Sequence, residues 1–271
     1  MSNAPQAVPV GPLVLESVHE GIALLVMNRP ERLNSLNSEL AMALNEALAR
    51  VAENRDVRVV VVTGAGRAFC AGGDLALIGK GRQSGNVAGL EPVLRAGMQI
   101  VLKMRTMPQP VIAAVNGAAA GAGMNIALAA DIRIAAEEAT FGQNFAKVGL
   151  YPDYGGTFFL PELVGPSKAA ELFYTGDMID ARTAERLGLV NRVVPGAQLE
   201  AEVRGFAQKL AQGPGMAIRA AKKALFASKR AELEQALDEE VRNQLECFQS
   251  EDCAEGITAF FEKRAPKFQG K

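Results

Sequence analysis

The sequence predicts an α/β fold, because short apolar runs typical of strands alternate with helix-like segments through residues 1–195. Two of these runs, 59–62 and 111–115, are continuous and rich in β-branched residues, as expected for strands buried on both faces. Each run is followed by a glycine-rich loop. From residue 196 onward the pattern is helical, so we expect an α/β core over 1–195 and a helical region over 196–271.

The elements of the core can be justified in order. A turn at Gly21 joins the first two strands, and Asn37 or Ser38 can cap the first helix. Four glycines lie in segment 79–89, which we interpret as a mobile loop. The next helix ends before Pro108. The predicted elements are strands over 13–18 and 22–27, a helix over 38–52, a strand over 58–63, a helix to about 105, a strand over 111–115, a short helix to about 130 and a strand over 132–135.

The helical region after residue 195 has one apolar face. Apolar residues at helical spacing form a stripe, which either closes over the core or packs on another subunit. Its members are Leu233, Leu237, Val241, Leu245 and Phe248.

Composition excludes several classes of protein. The chain is 49% hydrophobic and 22% charged with a formal net charge of −1, so no basic surface for nucleic acid or an anionic membrane is expected. No apolar run reaches the roughly 18 residues that span a bilayer. Residues 1–10 lack the basic and apolar regions of a signal peptide, which predicts a cytoplasmic location.

The cysteines and the histidine also restrict the chemistry. Three cysteines without CxxC spacing predict neither a disulfide framework nor a zinc site, and we expect no metal. The single histidine, His19, lies in a turn and is expected to be a surface residue. Nucleophile pairs that need a histidine base are therefore not expected.

A nucleotide cofactor is not expected either. The run 59–66 resembles a strand that enters a glycine turn, but the third glycine of a dinucleotide fingerprint is replaced by Phe69. No glycine loop is followed by the Lys-Ser/Thr pair of a P-loop. We therefore expect no separate cofactor.

The two glycine-rich loops, 69–75 and 116–125, favour a different function. Small residues let a ligand approach backbone N–H groups closely. Two such loops that face each other could aim two donors at one oxygen, which is the requirement for an oxyanion hole.

The sequence around these loops resembles the enoyl-CoA hydratase/isomerase, or crotonase, superfamily. The matching segments occur in the family's order and span nearly the whole chain: 28–36 (NRPERLNSL), 68–75 (AFCAGGDL), 114–117 (AVNG), 121–123 (GAG), 130–133 (ADIR), 141–142 (FG), 175–176 (TG), 188–190 (GLV) and 262–264 (EKR). The resemblance implies a ββα spiral core with a helical C-terminal trimerisation region, and a homotrimer or hexamer. It also implies an acyl-CoA substrate, with coenzyme A entering as part of that substrate.

The resemblance implies the site residues as well. An enolate oxyanion would be held by the backbone N–H groups of Ala71 and Ala122. The latter lies near a helix start, which favours negative charge. The remaining implied contacts with the acyl-CoA are Arg32, Leu33, Gly72, Gly73, Asp74, Leu75, Gly121, Asn125, Phe145, Tyr151 and Lys263.

The catalytic carboxylates indicate the reaction. The two glutamates of the family's hydratases fall on Asn125 and Phe145, neither of which is a useful base. Asp153 matches an acid of some family isomerases, and its segment is most similar to the phenylacetate-pathway isomerases. We therefore expect double-bond isomerisation of an enoyl-CoA with Asp153 as the base. Asn125 would position the acyl chain or a water.

Several alternatives stay open. Asp153 could only cap the helix that begins near Gly155. It could instead serve dehalogenation or thioester hydrolysis, or the protein could be hydratase-like or a catalytically silent acyl-CoA binder. Asp74 is expected to order its loop, Asp131 to make a structural hydrogen bond, and Cys70 to pack.

Overall fold

The computed structural model describes residues 11–271, so the N-terminal segment considered for a signal peptide lies outside the described residues. The strands are β1 (Val14–His19), β2 (Ile22–Met27), β3 (Val59–Gly64), β4 (Ala68–Cys70), β5 (Val111–Val115), β6 (Ala118–Ala120), β7 (Ile132–Ala136), β8 (Thr140–Gly142), β9 (Met178–Asp180) and β10 (Arg192–Val194). The helices are α1 (Ser38–Glu53), α2 (Leu75–Gln83), α3 (Glu91–Thr106), α4 (Ala122–Ala129), α5 (Gly156–Val164), α6 (Pro166–Thr175), α7 (Ala181–Arg186), α8 (Leu199–Ala211), α9 (Gly215–Ala227), α10 (Arg230–Gln249) and α11 (Glu251–Glu262). Short 3-10 helices cover Pro30–Arg32, Val87–Leu90, Asn144–Val148 and Gly196–Gln198.

The larger sheet has six strands in the order β1-β2-β3-β5-β7-β10. β1 and β2 form the predicted antiparallel hairpin, and the other pairings are parallel. Alternate residues of β3 face opposite sides, since successive side chains of a strand do so. Val60 and Val62 belong to the main core with α1 and α3, whereas Val59 and Val61 pack beneath α8. The apolar runs are therefore buried on both faces, as predicted.

The smaller sheet brings the two glycine-rich loops together. Its order is β4-β6-β8-β9, and β4 runs parallel to β6 with Ala68 opposite Ala118. The loops that follow these two strands leave the sheet side by side. A Cβ added to Gly72 would lie 3.7 Å from the Ala122 nitrogen, so the loops are in contact.

Segment 79–89 is not the loop that its glycines predict. Residues 75–83 form α2, whose first turn is capped by the Asp74 carboxylate accepting from Ala76 N at 3.0 Å. Ile78 and Leu90 join a buried cluster with residues of α10 and α11. Gly81 packs on Leu90, where an added Cβ would come within 3.1 Å of a methyl carbon. Gly79 and Gly81 allow close packing on Ile257 and Leu90, and the long-range contacts that order the segment cannot be seen in a local pattern.

The C-terminal region is helical after β10, as predicted. The apolar stripe of α10 packs within the same chain, because Leu233, Leu237 and Phe248 are buried against the core and α2. Closing over the core is therefore the alternative that the structure supports for this stripe. Within residues 11–271, no helix has both the length and the apolar composition needed to cross a membrane.

Candidate active site

A cavity of about 970 Å³ opens where the two glycine-rich loops meet α2, α3 and the C-terminal helices. Its walls are largely apolar, and they include Leu94 from α3 and Phe248 from α10. A second cavity, of about 710 Å³, lies between α8 and the outer face of the six-stranded sheet and includes His19. Of the two glycine-rich loops, only Asn116 at the start of the second borders this second cavity, whereas residues 71–75, 121 and 122 line the first, so we place the chemistry in the first. His19 is exposed on the surface, as predicted.

The backbone donors of the first loop differ from the prediction. The Ala71 N–H donates to the Leu33 carbonyl at 3.0 Å, so it is not free to bind a ligand. Leu36 pairs with this loop by donating to Gly72 O and accepting from Asp74 N. The Gly73 N–H lies between these bonds and has no hydrogen-bond partner within the described chain. Parallel pairing with residues 33–36 already uses the Ala71 N–H group. The free N–H donor of this loop is therefore that of Gly73 and not that of Ala71.

The second loop leaves Ala122 as its donor. Ala122 is the first residue of α4, and the first N–H groups of a helix have no partner within the helix. The preceding Gly121 N–H is already bonded to Gly142 O at 2.8 Å. Because the helix dipole also favours negative charge at this end, Ala122 is suited to an oxyanion.

Asp153 is buried at the wall of this cavity, with 7% of its surface exposed. Its Oδ2 accepts a hydrogen bond from Gln244 Nε2 at 3.0 Å, whereas Oδ1 is buried without a partner among residues 11–271. Burial raises the pKa of Asp153 to about 7; the hydrogen bond from Gln244 acts against this rise and the charge of Glu240 adds to it. A carboxyl group with such a pKa can accept and return a proton near neutral pH.

Asp153 does not cap α5 with its side chain. The Glu240 carboxylate of α10 caps this helix, accepting from Gly155 N at 2.7 Å and from Thr157 N at 2.9 Å. Thr157 Oγ1 donates to the same carboxylate at 2.5 Å. The capping interpretation of Asp153 is therefore wrong, and its side chain is left for another role.

The two positions of the hydratase glutamates have different surroundings. Phe145 lines the cavity and supplies an apolar wall. Asn125 is fully buried: its Nδ2 donates to Asp153 O at 2.6 Å, and its Oδ1 accepts from Gln143 Nε2 at 2.6 Å. The prediction that Asn125 contacts the acyl chain or a water is wrong, because its amide fastens the backbone behind Asp153.

The other predicted contacts divide into two groups. Tyr151 and Lys263 do not line the cavity: the Tyr151 backbone pairs with Gln244, and Lys263 ends α11 in an exposed position. Arg264 reaches the cavity instead of Lys263, although it is ion-paired with Glu255. The predicted residues that do line the cavity are Arg32, Leu33, Ala71, Gly72, Gly73, Asp74, Leu75, Gly121, Ala122, Phe145 and Asp153.

The competing acids and the cysteine have structural roles, as predicted. Asp74 pairs with Arg29 at 2.9 Å and caps α2. Asp131 accepts from Val111 N at 2.8 Å. Burial raises the pKa of the Cys70 thiol to about 12, so this thiol packs and does not react.

Three residues near Asp153 escaped the sequence analysis. Glu240 and Gln244 are polar and almost fully buried on the apolar side of α10, and their position four residues apart within the apolar stripe was the available signal. Tyr154 has a positive φ of 55° and donates from its hydroxyl to Val93 O at 3.2 Å. Its conformation could not be predicted, since a tyrosine rarely adopts it.

Comparisons with known proteins agree with this architecture. The profile of the enoyl-CoA hydratase/isomerase family matches residues 17–271. A "Probable enoyl-CoA hydratase" of Rhodobacter capsulatus is 44% identical over 255 residues, covering 94% of this chain and 96% of that protein. A "1,2-epoxyphenylacetyl-CoA isomerase" of Escherichia coli is 38% identical over 265 residues, covering 95% and 98% of the two chains.

Solved structures show the same fold. An enoyl-CoA hydratase from Mycobacterium avium subsp. paratuberculosis matches with a TM-score of 0.86 at 32% identity, covering 96% of this chain and 100% of that chain. An enoyl-CoA hydratase from Bacillus halodurans matches with a TM-score of 0.87 at 28% identity, covering 91% of this chain and 99% of that chain.

The two packed sheets with paired glycine loops therefore define a crotonase-fold protein with a site suited to an acyl thioester. The chain belongs to the enoyl-CoA hydratase/isomerase family, and it is an acyl-CoA enzyme of that family.

Proposed function

We propose that this enzyme isomerises the double bond of an enoyl-CoA, with Asp153 as its single acid–base group. The observation that carries the proposal is the Asp153 carboxyl group at the cavity wall, which forms no ion pair within residues 11–271 and has one oxygen without a hydrogen-bond partner there. Of the acidic residues in the described part of the chain, Asp74 also lines this cavity, but its carboxylate is bound to Arg29. Asp153 is therefore the acid that can exchange a proton with a substrate.

The reaction needs one base and one oxyanion site. The thioester carbonyl oxygen accepts hydrogen bonds from Gly73 N–H and Ala122 N–H. Asp153 removes a proton from the carbon next to the conjugated system, and the electron pair moves onto the thioester oxygen as an enolate. The protonated Asp153 then returns the proton to another carbon of the same system, so that the double bond has moved and the composition is unchanged. Backbone donors that stabilise such an oxyanion typically contribute about 3–4 kcal/mol each.

The proton can move in both directions because the carboxyl group is tuned near neutrality. The pKa of Asp153, raised to about 7 mainly by burial, makes the group a stronger base than an ordinary aspartate. Phe145 and Tyr154 enclose the site and keep it apolar. The isomerase named among the relatives supports this assignment by similarity.

Hydration is the second candidate, and the names of several relatives favour it. It would need a water activated by Asp153 alone, since Asn125 and Phe145 occupy the two glutamate positions. Dehalogenation and thioester hydrolysis are less well supported, because the single histidine is at the other cavity and cannot assist deacylation. A catalytically silent acyl-CoA binder would bind thioesters without exchanging protons.

A panel of 2- and 3-enoyl-CoA thioesters tests these alternatives. The isomerase should shift the ultraviolet absorbance without changing the product mass, and Asp153→Asn should slow this shift by about 10²-fold or more. Efficient hydration of crotonyl-CoA, seen as a product one water heavier, would instead establish the second candidate. Binding with no change of absorbance and no change of product mass on any substrate would leave only the silent binder.

A further inference from the structure

We infer that Gln244 and Glu240 on α10 are positioning residues for Asp153: the Gln244 amide holds the Asp153 carboxyl group at the cavity wall, and the Glu240 carboxylate holds the backbone that follows Asp153. This inference rests on the proposed function of Asp153. It assigns to the C-terminal helices a direct role in preparing the base.

The Gln244 side chain is fastened at three points. Its Nε2 donates to Asp153 Oδ2 at 3.0 Å and to Tyr151 O at 2.8 Å, and its Oε1 accepts from Tyr151 N at 3.0 Å. Rotation of the buried amide would break all three bonds. The donor that faces Asp153 is therefore fixed, and the carboxyl group cannot turn without losing the one side-chain hydrogen bond that it makes among residues 11–271. Gln244 thus holds the orientation of the carboxyl group at the cavity wall.

Glu240 acts on the other side of Asp153. Its carboxylate accepts two backbone N–H groups and one hydroxyl from residues 155 and 157, immediately after the base. These bonds fix the start of α5 and therefore the direction in which the Asp153 side chain projects from the backbone. Burial raises the pKa of Glu240 to about 7, and the hydrogen bonds from Thr157 and Gly155 act against this rise. When Glu240 is ionised, its charge disfavours ionisation of Asp153.

The remaining neighbours of Asp153 carry no opposing charge. Tyr154 adjoins it, but burial raises the pKa of that hydroxyl well above its usual range, so it stays neutral. Asn125 from α4 contributes only its amide, which binds the Asp153 carbonyl. Burial accounts for most of the rise in the pKa of Asp153, and the side chains of Gln244 and Glu240 shift this pKa in opposite directions.

Because the two side chains act in opposite directions, their substitution should shift the pKa of Asp153 in opposite directions. Gln244→Met removes a donor that favours the ionised carboxyl group, so the pKa of Asp153 should rise. Glu240→Gln removes a negative charge, so that pKa should fall. Both variants should lower kcat, by roughly 10- to 100-fold if the base is misplaced by a fraction of an ångström to 1 Å, with a smaller effect on KM. Matched controls are Gln235→Met and Glu239→Gln, exposed positions on the same helix, where neither kcat nor the pKa should change.

The pKa is read in two ways, from the pH dependence of kcat and from the ¹³C NMR titration of the Asp153 carboxyl group, assigned with Asp153→Asn. The inference is overturned if the two variants leave this titration unmoved or shift it in the same direction, even when turnover falls. If Glu240→Gln does not fold, an unchanged titration in Gln244→Met is sufficient to overturn it. Opposite shifts in a protein without isomerase activity would support the positioning role and refute the proposed function instead.

Discussion

The ring of Tyr154 lies directly against Gly97 of α3, so closely that a Cβ on residue 97 would come within 2.1 Å of the ring carbon Cζ. The Tyr154 hydroxyl is anchored on the same helix, at Val93 O. The residue that follows Asp153 is therefore held against α3 by packing and by one hydrogen bond. A glycine in the middle of a helix is unfavourable by itself, and this contact explains its presence here.

Gly97→Ala should destabilise the protein by about 1–3 kcal/mol, because overpacking a buried contact has a cost of this size. It should also reduce turnover, since displacement of Tyr154 moves Asp153. The matched control is Gly205→Ala in α8, where an added Cβ meets nothing within 4 Å and a gain of about 0.5–1 kcal/mol is expected. Denaturant unfolding measures the change in the free energy of unfolding of both variants. Equal effects of the two substitutions would contradict the contact between Tyr154 and Gly97.

Asp153→Asn should lower the turnover of the isomerase by about 10²-fold or more, since an amide cannot accept the proton. Coenzyme affinity, measured by calorimetry, should remain close to that of the parent protein. Asp74→Asn should do the reverse, because it weakens the pair with Arg29 that orders the binding loop. Turnover that survives Asp153→Asn would require a different base.

Gly73→Pro should lower kcat by roughly 10²- to 10³-fold, because it removes the free N–H donor of the first glycine loop. Gly73→Ala retains this donor and has space for a methyl group, the nearest atom being 3.7 Å away, so it should keep most of the activity. The contrast between proline and alanine in steady-state kinetics identifies the donor. Comparable activity of the two variants would remove Gly73 from the oxyanion site.

The raised pKa values predict two dependences on pH. The rate should increase as pH rises through about 7, because only ionised Asp153 can remove a proton. Stability should behave in the opposite sense. The folded pKa of Asp153 lies above its unfolded value, so its contribution is fully present below the unfolded pKa and is lost as pH rises toward about 7. Relative to the parent, Asp153→Asn should therefore gain in melting temperature as pH rises from about 4 to about 7. A difference that does not change with pH would argue against the raised pKa.

The homotrimer or hexamer remains a prediction from the family resemblance. Several large apolar side chains are exposed on the single chain, among them Met216 and Leu225 of α9 and Tyr174 of α6. Such surfaces are more often covered in an assembly. Sedimentation at micromolar concentration should therefore show no dominant monomer, and a clean monomer would remove the prediction without affecting the fold.

Local patterns predicted what depends on local chemistry. The buried strands and the cap of α1 at Asn37 follow from residue type and spacing, whereas Asp153 was singled out by the family resemblance. The free donor of the first loop does not follow from local patterns, because it depends on which N–H groups are consumed by pairing with residues 33–36. Asn125 was misassigned for a similar reason, since its amide is used by Gln143 and by a carbonyl 28 residues away. Which donors and acceptors are already paired can be known only when the contacts between residues distant in the sequence are known.

The cap that Glu240 provides for α5 joins two parts of the chain that are 85 residues apart. During synthesis both glycine loops and Asp153 emerge well before α10 does. On the proposed function, Asp153 is a positioned base only after α10 has docked, so we expect activity to be acquired last. A chain released before α10 would lack the cap of α5 and the hydrogen bond from Gln244 to Asp153, and the onset of activity in a refolding experiment should report completion of the whole fold.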